Sequence, residues 1–204
     1  MTDNTNALAP NARHEDDRRV DGAGSGVAID RRSTPDACGH RPVWPVKEQP
    51  DRRWPFKAAD VVPLQWWRTL PSDALRDAEQ SLMLTTLDRI GVLHPVDDLK
   101  AALAGDAAAA ISIAFSMMPI EKTTLAIDIG MTALCRCALA RNAASALVMA
   151  QVIGLTNFDH GLSIELAMSW YRHGLRHASD PRKFREAETV LLKAFHELDR
   201  SGSR

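Results

Sequence analysis

Proline is the residue that most constrains this chain. Eight of its 11 prolines lie at or before Pro71, as do four of its five tryptophans. Proline lacks a backbone N–H and fixes φ, so a segment this rich in it builds neither a long helix nor a central strand. Beyond Pro71 only Pro95, Pro119 and Pro181 remain, each placed to end or begin a helix. The chain therefore divides near residue 71, into an N-terminal arm and about 130 residues free to fold as helices.

The arm has two parts. Residues 1–40 mix Asp, Asn, Arg, Gly and Ser with scarcely any apolar clusters. Such a stretch cannot offset an ordering entropy of roughly 1–2 kcal/mol per residue, and it reads as a disordered tail. Within it, Gly22-Ala23-Gly24-Ser25-Gly26 reads as a linker and not a phosphate loop, because no strand precedes it and no amphipathic helix follows.

Residues 41–70 differ. Arg41-Pro42-Val43-Trp44-Pro45 and Arg52-Arg53-Trp54-Pro55-Phe56 are two imperfect copies of a basic–Trp–Pro unit, ten residues apart. Their prolines predict an extended arm of polyproline-II character. Spaced aromatics on an extended strand can fill a groove, which makes Trp44, Trp54, Phe56, Trp66 and Trp67 the candidate partner-binding residues. The other reading folds these tryptophans back onto the protein's own helices. Left in water they would be an aggregation hazard.

From Ser72 the pattern is helical. Leu75, Ala78, Leu82 and Ile90 share a helical face, with Gly91 as the stop. A short helix spans about 96–104. Asp106 caps the next, to Met118, whose apolar character makes it the expected centre of the fold. Thr124, Asp128, Thr132 and Arg136 then recur every four residues, a narrow polar stripe on an otherwise apolar helix. Apolar helices follow over about 143–153 and from Asn157 or Asp159 to Ala178. Ser179-Asp180-Pro181 opens the last, with Phe184, Ala187, Val190, Leu191, Ala194 and Leu198 inward. The fold predicted is all-α: a compact bundle or array of six to seven helices over residues 71–200, with 201–204 disordered. About thirty alanines suit closely approaching helices and leave a homo-oligomer open.

Four motifs bear on chemistry. Leu125-Ala126-Ile127-Asp128-Ile129-Gly130-Met131-Thr132 resembles the first phosphate loop of the actin-like sugar-kinase and heat-shock ATPase superfamily. There an Asp-x-Gly turn between two strands approaches metal and phosphate. The resemblance covers eight residues, no glycine-rich adenosine motif follows, and the stretch is read here as a helix.

His173 and His177 stand at i and i+4, a spacing that lets two imidazoles share a metal. Glu165 and His196 could join them. Gly174 stands where a metalloprotease needs Glu, and Arg172 and Arg176 would oppose a dication. No metal ligand and no catalytic residue is assigned. A small metal-dependent enzyme remains the last of three alternatives.

Cys135 and Cys137 project to opposite sides of a helix and read as buried apolar thiols. Arg172, Arg176, Arg182, Lys183 and Arg185 gather at the last interhelical turn, a patch for nucleic acid or an acidic partner. The whole-chain net charge of -1 excludes a dedicated polybasic binder.

No cofactor motif is present. No segment reads as a secretion signal or membrane span, so the expected location is the cytoplasm with reduced thiols. The function expected is a non-enzymatic interaction or regulatory adaptor, whose Trp/Pro arm packs on its own domain or on a partner protein. A nucleic-acid-binding regulator is the alternative.

Overall fold

The computed structural model describes residues 53–93 and 97–202. The predicted tail, Trp44 and residues 203–204 lie outside the described residues. Among those described the fold is all-α, without strands. Three short 3-10 turns, Ala58–Asp60, Pro63–Arg68 and Ser72–Ala74, precede seven α-helices. These are α1 (Asp77–Leu93), α2 (Asp97–Ala104), α3 (Ala107–Ser116), α4 (Leu125–Leu139), α5 (Ala143–Leu155), α6 (Ser163–His177) and α7 (Pro181–Gly202).

Capping fixes several of the helix starts. The Asp106 carboxylate accepts from the backbone N–H groups of Ala108 and Ala109, opening α3. Thr124 accepts from Ile127 and opens α4, while Asn142 accepts from Ser145 and opens α5. Asp180 accepts from Arg182, and Pro181 takes the first position of α7, where no N–H is missed. Two helices end in left-handed residues. Gly105 (φ 101°) follows α2 and Arg141 (φ 68°) follows α4. Their turns close in the same way, with Asp106 N–H on Ala101 and Asn142 N–H on Cys137.

The core centres on α4 and α5. Every residue from Ser145 to Ile153 is buried, so α5 is covered on all sides, and it packs most extensively on α6. The expectation that α3 would be central is corrected: only Ala110 and Ala114 of that helix are buried, and Ser112 and Ser116 face outward. Glycines set two close approaches. A Cβ on Gly130 would lie 2.7 Å from Met117 Cε of the α3 end. One on Gly174 would lie 2.9 Å from Phe184 Cζ of α7 and 3.1 Å from Ala146 Cβ of α5.

Other expectations change by a turn or a face. Ser72 opens a 3-10 turn, and α1 begins only at Asp77 and runs through Gly91. Met83 and Leu87 face the core from α1, while Ala78 and Leu82 point outward. The sixth helix starts at Ser163, after a loop that includes Phe158 and His160. On α7, Phe184 and Phe195 are buried, but Ala187 is exposed and Val190 is 68% exposed.

Candidate functional site: the tryptophan clasp

The proline-rich root of the arm is built into the helical domain. Prolines predict an extended segment, yet residues 58–60 and 63–68 form 3-10 turns. Pro63 is compatible with this because it opens its turn, where no hydrogen bond is lost. Side-chain anchoring supplies the rest. Trp66, Trp67 and Leu70 are buried, at 2%, 0% and 0% exposure.

Each indole of the root finds a partner in this chain. Trp54 Nε1 donates to the Thr69 carbonyl at 2.7 Å. Trp66 Nε1 donates to the Val61 carbonyl at 2.9 Å. Trp67 Nε1 reaches across to α4 and donates to Asp128 Oδ1 at 2.9 Å. The next residue, Arg68, grips the same carboxylate, with Nε 3.0 Å from Oδ1 and Nη2 3.4 Å from Oδ2. The hydroxyl of Thr132, one turn further along α4, shares its one proton between Asp128's own carbonyl at 2.6 Å and the Leu64 carbonyl at 3.1 Å.

The polar stripe of α4 thus has a purpose at every position. Thr124 caps the helix, Asp128 and Thr132 bind the arm, and Arg136 donates to the Leu103 carbonyl at the end of α2. Asp128 sits inside a helix and not in a strand-to-strand turn, so the eight-residue phosphate-loop resemblance has no structural counterpart.

A second set of contacts closes the clasp from the loop before α6. His160 Nδ1 accepts from the Leu162 N–H at 3.0 Å. That leaves Nε2 as the donor to the Arg68 carbonyl, 2.8 Å away. Around it lie edge-on aromatics: Phe56 with His160 at 5.5 Å and Trp67 with Phe158 at 5.6 Å between ring centroids. Ser72 and Ser169 tie the end of the root to α6 through a 3.0 Å hydroxyl pair. Sequence reasoning missed His160, Phe158 and Ser169, which lie in a loop and on a helix with no motif to mark them.

The other candidates are placed as follows. Arg172, Arg176, Arg182, Lys183 and Arg185 are all exposed around the α6–α7 turn. Tyr171 donates to Glu188 at 3.0 Å across the same hairpin, and burial with that bond pushes its hydroxyl up to about 12. His173 and His177 stack edge-on at 4.7 Å, but His173 Nε2 is engaged with the Ala138 carbonyl at 3.0 Å. Burial holds the His173 imidazole below its ordinary pKa, and nearby His177 and Arg176 push the same way. Among the described residues no three His, Cys, Asp or Glu side chains come together as a metal site.

Cys135 and Cys137 are buried and free, and burial raises both thiols, that of Cys135 well above its usual range. A cavity of about 200 Å³ lies between Met118, Pro119, Ile120, Leu155, Leu192, Phe195 and His196, and His196 is a titratable part of its wall. Among the described residues no helix is long and apolar enough to cross a membrane. No protein-family model, curated protein or solved structure matches the chain.

Proposed function

We propose that this chain is a non-enzymatic interaction module whose helical domain holds the root of a Trp/Pro arm, and that the arm carries Trp44 to a partner protein. The observation that supports this most is the Trp67–Asp128–Arg68 clasp, which commits a buried carboxylate to holding the arm. A fixed root lowers the ordering cost of binding through the segment before it. Trp44 is nine residues from Arg53, which keeps it within about 30 Å of the domain edge.

Trp54 and Phe56 are half-buried and can exchange their contacts for a partner's. Trp66 and Trp67 cannot do so without opening the core, so their role is anchorage. The reading places the protein in the cytoplasm and assigns it no cofactor.

Affinity capture from native lysate tests it, with the full chain beside Trp44→Ala and Arg172→Glu/Arg176→Glu versions. The reading predicts one protein held by the full chain and by the arginine variant but lost with Trp44→Ala. Capture that is unchanged by Trp44→Ala overturns it.

A second reading has one observation in its favour: the cations of the α6–α7 turn are all exposed. It makes them a contact for nucleic acid or an acidic partner. Binding to DNA or RNA through this patch falls steeply between about 50 mM and 200 mM salt and is lost in the arginine variant.

A further inference from the structure

We infer that α7 pairs, antiparallel and about a two-fold axis, with α7 of a second copy of this chain. Lys183, Ala187, Val190, Ala194 and Glu197 follow one another at intervals of four, three, four and three residues. That spacing sets them in a single seam about 21 Å long. The seam faces away from the domain. Lys183, Ala187 and Glu197 are exposed, Ala194 is half-buried and Val190 is 68% exposed. The neighbouring stripe of α7 is the one that packs inward. Phe184 meets Tyr171 at 5.4 Å, and Phe195 stacks on Phe115 at 4.9 Å.

The seam is self-complementary in one direction only. Lys183 lies seven residues before Val190 and Glu197 seven after it. Antiparallel pairing centred on Val190 sets Val190 against its own symmetry mate and Ala187 against the other copy's Ala194. It also sets Lys183 against the other copy's Glu197, and symmetry repeats each unlike pair. On the flank of the seam, Lys193 falls opposite the other copy's Glu186. A parallel pair would instead set lysine against lysine and glutamate against glutamate. The two alanines let the helix axes approach closely. A seam this short buries less than a standard interface, so the dimer is weak and concentration-dependent.

Sedimentation equilibrium of the full chain, from about 5 µM to about 500 µM, tests the pairing. The expected result is a monomer–dimer equilibrium that Val190→Asp weakens by about tenfold or more. Lys183→Glu weakens it roughly tenfold, and Lys183→Glu/Glu197→Lys restores it. Direction is read by a short bismaleimide in a Cys38→Ser background. Lys183→Cys links to Glu197→Cys when the two variants are mixed, and neither links to itself. A chain that stays monomeric throughout overturns the inference. So does a dimer indifferent to Val190→Asp, or a Lys183→Cys variant that links to itself.

Discussion

Trp67 and Asp128 stand 61 residues apart in sequence and 2.9 Å apart in the fold, an indole N–H on a buried carboxylate. Arg68 shares that carboxylate, so one acidic side chain of α4 holds two consecutive residues of the arm. The charge of Asp128 is balanced by Arg68, and both oxygens have donors, which makes its burial tolerable.

Removing that carboxylate tests the clasp. Asp128→Leu leaves the Trp67 N–H and the Arg68 guanidinium without their acceptor and is expected to cost about 3 kcal/mol. Asp128→Asn keeps an acceptor for Trp67 but loses the charge, and is expected to cost about half as much. Urea unfolding followed by tryptophan fluorescence measures both. Equal costs for the two variants would mean that the Arg68 pairing, and not the Trp67 bond, dominates.

Gly174 holds α5, α6 and α7 together by having no side chain. The Cβ of Gly174→Ala meets Phe184 Cζ at 2.9 Å and Ala146 Cβ at 3.1 Å. The ring tip and the backbone-fixed methyl have little room to yield. The expected loss is about 1–3 kcal/mol despite alanine's better helix propensity. Thermal unfolding checks it, and a raised Tm would contradict the packing described.

Arg141 occupies a left-handed position, at φ 68°, that glycine enters without steric cost. Its side chain is exposed. Arg141→Gly is expected to stabilise the protein by about 1 kcal/mol, seen as a raised Tm.

His173 sets an acid sensitivity. Its folded-state pKa lies below the ordinary value of 6.5, chiefly through burial. The unfolded state therefore binds the proton more readily, and stability rises with pH through the window below 6.5. The contribution is full above that value and is lost as pH falls toward the folded-state pKa. His173→Gln is expected to flatten this part of the stability profile, measured by urea unfolding between about pH 5 and pH 7.

How much of this the sequence reveals depends on separation along the chain. Asp106 before an alanine run and Asp180-Pro181 are local signals, and both caps form as read. The four-residue period from Thr124 to Arg136 correctly marks a helix. Its partners Leu64, Trp67, Arg68 and Leu103 lie 33 to 68 residues away, and periodicity carries no address. Of the face expected on α1, Leu75 and Ile90 do pack inward, but Ala78 and Leu82 point out and Met83 and Leu87 take the core, because Leu82 and Met83 are adjacent, both apolar, and equally eligible by spacing. On α7 the inward list covered two stripes where one is packed, and Val190 lies on the stripe that is not. The arm's prolines excluded long helix correctly but said nothing of 3-10 turns, which tertiary anchoring by three tryptophans selects.

Hydrogen exchange over residues 53–75 tests the central claim most directly, namely that the root of the arm is part of the domain. The amides of Thr69 and Leu70, which donate to the Trp66 carbonyl, are the reporters. The account predicts protection comparable to that of α4 in the full chain and its selective loss in Asp128→Leu. Free exchange of both amides while α4 stays protected would contradict it, because the clasp would then not hold the arm.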